Sequence, residues 1–314
     1  MPSERCVLIH GFAGSPASWD AVVERLPEDW SVLRPALAGH DPLAGWPQEV
    51  RSFEDEVDRL AHEIGPGPPS LLCGYSLGGR LALGLLARHP GRFAAALVIG
   101  AHPGLPGRHP GLPGRHPGLP GRHPGPPARH PGPPGPRAGL PEAEVATGVA
   151  TGAAAGDRGG RSREAIPRAG SSSRAERLAA DQRWAAVIER DLDAFVEEWQ
   201  ALPLFASQRR LPAEALEAQD RIRRGHRPET LARAMRVLSL GTMPDHREAL
   251  GEVRVPVVLM TGELDRKFTG LAVELAASIP GSRVEVVPGV GHNVPLEAPD
   301  AVAAGLRELA ARRS

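Results

Sequence analysis

Three residues that lie far apart in the chain have the types needed for nucleophilic or proton-abstracting chemistry: Ser76, Asp265 and His292. Ser76 is the centre of Gly74-Tyr75-Ser76-Leu77-Gly78, a G-x-S-x-G pentapeptide. A serine hydroxyl is a weak nucleophile and a weak base until a neighbouring imidazole takes its proton. His292, in Gly289-Val290-Gly291-His292-Asn293, is the candidate imidazole. The imidazole needs a carboxylate to hold its tautomer, and Asp265, in Thr261-Gly262-Glu263-Leu264-Asp265, is the candidate for that. Glu263 is the alternative acid. Developing negative charge also needs donors, and the N–H groups of Leu77 and of Phe12, in His10-Gly11-Phe12, are the expected pair. His10 joins the candidate substrate-binding residues through the order it gives this loop. A purely structural strand-end histidine is the other reading.

Such a set works only if strands and helices bring it together. Short apolar runs at Cys6–Ile9, Ser31–Pro35, Ser70–Cys73, Ala94–Ile99, Val257–Thr261 and Arg283–Val287 read as strands. Helical patterns separate them at Ala17–Leu26, Glu49–Ile64, Leu77–Arg88 and Gly270–Ile279, and a last one covers Pro299–Ala311. Phe53, Val57, Leu60 and Ile64 keep helical spacing within the second. Strands alternating with helices predict an α/β chain with a mostly parallel sheet and helices on both faces. Ser76, Asp265 and His292 each follow a strand, so all three are expected at the carboxyl edge, where ligands bind in open α/β sheets. Ser76 also starts a helix. The glycines around it suit a tight strand-to-helix turn, and the helix N-terminus favours negative charge.

Two segments break the alternation. His-Pro-Gly-Leu-Pro-Gly-Arg occurs at 102–108, 109–115 and 116–122, with degenerate copies at 123–129 and 130–137. A Gly/Ala/Arg/Ser-rich tract continues to Ser173. The period of seven carries Pro and Gly, so it excludes a coiled coil and predicts a disordered, polyproline-like insert. Metal binding by its His-Pro pairs competes with a tolerated duplication in a surface loop. The second segment, Arg174–Met243, is helical: Trp184, Val187, Ile188, Phe195, Val196 and Trp199 recur at helical spacing, as do Leu231, Met235 and Leu238. The expected organisation is a core of 1–101 and 244–314, an insert at 102–173 and a helical lid at 174–243.

The chain's 37 basic and 37 acidic residues cancel, which removes any general attraction to nucleic acid or to an anionic membrane. Lys267 is the single lysine. Cys6 and Cys73 both lie in strands and read as inert core thiols, with neither a disulfide framework nor metal spacing. No apolar run has membrane-spanning length and no signal-like segment opens the chain, so a cytoplasmic protein is expected.

Ser, then Asp, then His, each after its own strand, is the chain order of α/β-hydrolases. Wider stretches are more specific. The elbow Gly74-Tyr75-Ser76-Leu77-Gly78-Gly79-Arg80 resembles that of 2-succinyl-6-hydroxy-2,4-cyclohexadiene-1-carboxylate synthase. So do His102-Pro103-Gly104-Leu105, Arg174-Ala175-Glu176-Arg177 with Asp181 and Trp184, and Phe195-Val196-Glu197-Glu198-Trp199 through Pro203-Leu204-Phe205-Ala206-Ser207. Leu238-Ser239-Leu240-Gly241-Thr242, Gly262-Glu263-Leu264-Asp265-Arg266-Lys267-Phe268 and Gly291-His292-Asn293 complete the likeness. It implies an α/β-hydrolase fold with a helical lid, used by a lyase of menaquinone biosynthesis. It also implies a triad acting as a base, a small polycarboxylate substrate and no cofactor or metal. Arg80, one helical turn after Ser76, can face the same pocket. Similarity implies Arg177 and Arg223 as further anion-binding arginines, with Tyr75, Trp199 and Phe205 lining the pocket. A serine esterase or carbon–carbon bond hydrolase on the same fold is the main alternative, and a scaffold whose repeats bind a partner is another. The insert departs from the family. It enters beside the expected site, where it could displace Arg177.

Overall fold

A computed structural model describes residues 3–106 and 173–312. The expected disorder of the Pro/Gly-rich insert, and the metal reading of most of its His-Pro pairs, fall outside the described residues. Among the described residues there are six strands, β1 (Glu4–Ile9), β2 (Trp30–Leu33), β3 (Ser70–Tyr75), β4 (Phe93–Ile99), β5 (Val257–Gly262) and β6 (Arg283–Val287). They form one sheet in the order β2-β1-β3-β4-β5-β6, and every neighbouring pair is parallel. The chain first steps from β1 outward to β2, then returns to the other side of β1 for β3. That reversal leaves a crevice beyond the carboxyl ends of β1 and β3, the place where doubly wound sheets bind ligands.

Alternate strand residues feed two cores, because successive side chains point to opposite faces. On one face Val7, Ile9, Leu72, Val98 and Leu259 pack against α2 (Phe53–Ile64), α3 (Leu77–Arg88) and α9 (Arg266–Ala276). On the other, Cys6, Leu8, Leu71, Leu97 and Met260 meet α1 (Asp20–Val23) and the C-terminal helix Pro299–Ala311 through Val22, Leu306 and Leu309. Burying each large aliphatic side chain of this kind stabilises the fold by about 1.5–3 kcal/mol before entropy is counted.

Local chemistry sets the helix boundaries and corrects three of the expected ones. The helix expected from Glu49 begins at Phe53, because the Ser52 hydroxyl accepts the Asp55 N–H at 3.1 Å and caps it. The helix expected over Ala17–Leu26 is a 3-10 turn, Pro16–Trp19, followed by the single turn of α1. The helix expected from Gly270 starts four residues earlier, at Arg266, capped by the Asp265 carboxylate.

Between β4 and β5 lie α4 (Arg174–Arg190), α5 (Leu192–Gln200), a 3-10 stretch (Pro203–Arg210), α6 (Ala213–Arg224), α7 (Pro228–Val237) and α8 (Arg247–Leu250). Trp184, Ile188, Phe195, Leu231 and Met235 form a third core, which also takes in Ala13 and Phe12 from the loop after β1. After β4 the chain stays packed through Pro103 and Gly104, which are buried, and becomes exposed at Pro106. Arg174 ties the two ends together. Its guanidinium donates to the carbonyls of Leu105 on one side and of Gly241 and Met243 on the other.

Candidate active site

β3 ends at Tyr75 and α3 begins at Leu77, so one residue, Ser76, makes the whole turn. It has φ 53° and ψ −107°, a conformation that costs a non-glycine residue on the order of 1–3 kcal/mol. Two backbone bonds hold it there. Ser76 N–H donates to the Ile99 carbonyl at 2.8 Å, and Arg80 N–H donates to the Ser76 carbonyl at 2.9 Å. The turn fits only because Gly78 has no side chain: a Cβ there would overlap the Ile9 carbonyl. The strain thus keeps the Ser76 hydroxyl off the strand and at the amino end of α3.

The Oγ of Ser76 lies 3.2 Å from Nε2 of His292. Nδ1 of His292 lies 2.6 Å from Oδ2 of Asp265. His292 and Asp265 are buried, so this short contact is shielded from water. Asp265 does two jobs with two oxygens. Oδ1 accepts the Phe268 N–H at 3.3 Å, the cap of α9, which leaves Oδ2 aimed at the imidazole. With Nδ1–H donated to Asp265, Nε2 is the basic nitrogen and faces the serine. Phe268 completes the seating, its ring centroid 4.5 Å from that of His292.

The loop after β1 lies beside this array. A Cβ at Gly11 would come within 2.8 Å of the Tyr75 ring and 3.5 Å of Ser76 Cβ, so the next residue, Phe12, adjoins the nucleophile. His10 is fully buried beneath the loop, and both its nitrogens are taken by backbone. Nε2 accepts the Leu37 N–H at 3.3 Å, so Nδ1 carries the proton and donates to the Gly11 carbonyl at 2.8 Å. Burial pushes its pKa down to about 3. His10 therefore orders the loop from beneath, with both nitrogens bonded to backbone.

The helical segment supplies the opposite wall. Trp199 packs on Phe12 at 5.6 Å and on Phe205 at 6.1 Å, and Phe205 reaches the His292 ring at 6.3 Å. Arg223 is buried over Phe205, 5.3 Å from the ring centroid. Burial lowers its pKa to about 10, a shift opposed by the phenol of Tyr75 and the carboxylate of Asp220. On the other side Arg80 donates to the Leu238 carbonyl at 3.1 Å. Burial, and then the charge of Arg177, lower it to about 9, so it stays cationic at neutral pH. Arg177 is held by Asp181, and its charge acts on Arg80.

The family model described as the alpha/beta hydrolase family matches residues 6–305 of this chain. The chain belongs to the alpha/beta hydrolase family. Within it, this hydrolase-fold chain is 29% identical over 310 residues to a putative 2-succinyl-6-hydroxy-2,4-cyclohexadiene-1-carboxylate synthase of Bacillus subtilis, covering 95% of this chain and 86% of that one. It is 26% identical over 309 residues to the synthase of that name from Salmonella agona, covering 96% and 92%. Among solved structures, MenH from S. aureus superposes with a TM-score of 0.74 at 21% identity, covering 100% of this chain and 95% of that one. A thermophilic esterase from Thermogutta terrifontis gives 0.68 at 19%, covering 99% and 90%. At such identities the structural likenesses speak for the fold.

This alpha/beta hydrolase brings together Ser76, His292 and Asp265, with Phe12, Tyr75, Arg80, Arg177, Trp199, Phe205 and Arg223 around them. It excludes Glu263 from the array. That side chain is exposed and its Oε2 accepts the Gly289 N–H at 2.8 Å. Glu263→Gln is therefore expected to change turnover by no more than about twofold, the scale of an ordinary surface substitution. A loss comparable to that of Asp265→Asn would overturn this assignment. Residue-by-residue reading missed Lys267. Its ammonium lies 5.7 Å from the Phe268 ring centroid, and partial burial and nearby Arg177 lower its pKa. Lys267, Arg80, Arg177 and Arg247 all act on His102, which burial and these cations hold at about 3. The signal was available: one lysine among arginines, two residues after the acid. Among the described residues no cluster of His, Cys, Asp or Glu could hold a metal ion.

Proposed function

We propose that this chain is a carbon–oxygen lyase that eliminates pyruvate from 2-succinyl-5-enolpyruvyl-6-hydroxy-3-cyclohexene-1-carboxylate. The product is 2-succinyl-6-hydroxy-2,4-cyclohexadiene-1-carboxylate, an intermediate of menaquinone biosynthesis. The observation that carries this reading is a Ser–His–Asp array set between arginines rather than in a plain apolar acyl pocket. Near-full-length similarity to synthases of that name supports it.

In this reading His292 takes the Ser76 proton, and the Ser76 oxygen removes a ring proton. The C–H electrons form the C2–C3 double bond, the ring's C3–C4 double bond shifts to C4–C5, and the C5–O bond to the enolpyruvyl group breaks. The enolate leaves with that bond pair and takes up a proton on its methylene carbon to become pyruvate, which balances the proton gained by the Ser76–His292 pair. No acyl-enzyme forms. Leu77 and Phe12 N–H groups stabilise the charge that develops as the proton leaves. Arg80, Arg177 and Arg223 bind substrate carboxylates, for which the guanidinium fork is suited. Tyr75, Trp199 and Phe205 shape the chamber. Residues 174–243 act as its lid, over a core of 1–101 and 244–314. Two free, buried thiols, Cys6 and Cys73, fit a reducing cytoplasmic setting. Among the described residues, no helix is long and apolar enough to cross a membrane.

The test is pyruvate release from freshly generated substrate, with a nitrophenyl ester run in parallel. Arg80→Ala is expected to lower kcat/KM for pyruvate release by about 10- to 100-fold, the worth of a hydrogen bond to a charged group. Ester cleavage without pyruvate release would replace the lyase by a serine esterase or a carbon–carbon bond hydrolase.

A further inference from the structure

Asp181 is the most deeply buried carboxylate near the arginines, with 1% of its surface exposed. It faces Arg177 side by side: Nε donates to Oδ2 at 2.9 Å, and Nη2 lies 2.9 Å from Oδ1. A third group fixes the carboxylate. The Ser239 hydroxyl donates to Oδ2 at 2.6 Å, and the same hydroxyl accepts the Gly241 N–H at 2.9 Å. Ser239 directly follows Leu238, whose carbonyl holds Arg80. Consecutive residues at the carboxyl end of α7 therefore tether both arginines, one through its backbone and the other through its side chain and Asp181.

Charge makes this arrangement necessary. The charge of Arg177 acts on the buried guanidinium of Arg80, and burial of Arg80 leaves that repulsion less screened than in bulk water. A carboxylate behind the pair offsets it and leaves the front of the pair for an incoming anion. We infer that Asp181, seated by Ser239, is a positioning residue that clamps Arg177 beside Arg80 and so creates one two-arginine fork for a substrate carboxylate. The inference rests on the proposed function only for the substrate's identity; the fork itself requires any small polycarboxylate.

Because Asp181 acts through Arg177, its effect must vanish once Arg177 is gone. The experiment is a double-mutant cycle of Asp181→Asn and Arg177→Ala in the full-length protein, read in two ways. The first reading is KM and kcat for pyruvate release. The second is citrate affinity by calorimetry, which needs no turnover. Asp181→Asn alone is expected to weaken citrate binding and raise KM by about tenfold or more, with kcat changing far less. The double variant should be no weaker than Arg177→Ala alone. Ser239→Ala should give a smaller loss of the same kind and Ser239→Thr should restore it, with melting temperatures recorded to keep unfolding separate. Additive losses, an equal fall in kcat, or a wild-type protein that binds no citrate would overturn the inference. A wild type that binds citrate with full coupling yet releases no pyruvate would instead sink the lyase reading and leave the fork standing.

Discussion

Ser76→Ala should abolish pyruvate release to within a factor of about 10³ to 10⁴ below wild type, while the melting temperature stays where it was. The two halves of that expectation come from different atoms. The turn at Ser76 is held by its backbone, through Ile99 and Arg80, and alanine keeps both bonds at the same φ. The hydroxyl itself meets the imidazole of His292 at 3.2 Å. Removing it takes away the group that carries the proton and leaves the Asp265–His292 pair intact at 2.6 Å. Activity and thermal stability measured on the same preparation separate the two. If the variant kept a tenth or more of wild-type turnover, His292 would be acting on substrate without the serine, and the proposed base would be wrong.

Mild acid should destabilise the protein well before its carboxylates begin to take up protons. His10, His40, His226 and His246 are all buried, and each is held below the ordinary histidine value of 6.5, chiefly by loss of solvation. His10 is lowered to about 3 and His246 to about 4. The unfolded chain therefore binds more protons than the native one between those values and 6.5. Stability is fully present above pH 6.5 and is lost as pH falls toward the folded pKa values. At pH 5 the difference is about 2 kcal/mol for each of His10 and His246. Carboxylates held low by partners, such as Asp58, add to acid lability only below their usual value of 3.8, so the window from pH 7 to 5 reports the histidines. Urea unfolding across that window should show a steadily falling midpoint. A flat or rising midpoint would mean that these rings stay accessible to protons in the native state.

The strands and the reacting residues were legible because they rest on local signals. Six apolar runs of strand length became six strands, and Ser76, Asp265 and His292 followed three of them as expected. What escaped was decided by single side chains acting across the chain. The start of α9 depends on Asp265 serving as cap and as triad acid at once, which no periodicity announces. Whether His10 orders the loop after β1 or is only a strand-end histidine depends on Leu37 and Gly11 at its two nitrogens, partners that no local pattern announces. Arg177 is bound to a partner four residues on, but its place beside Arg80 comes from Leu238 and Ser239, more than fifty residues further along. The aromatic stripe of α4 and α5 was readable as a packing face. That the same face packs on the loop after β1 follows from Phe195 and Trp199 meeting Phe12.

The bonds from Arg174 to Leu105, Gly241 and Met243 also bear on how this gene can change. Tandem copies of a seven-residue unit are gained and lost whole when a polymerase slips, each step adding or removing 21 nucleotides without shifting the reading frame. Leu105 and Arg174, which lie on either side of the later copies in the sequence, are bonded to each other directly, a bond that does not depend on how many copies lie between them. A gain or loss of whole copies should therefore leave Ser76, Asp265 and His292 in place.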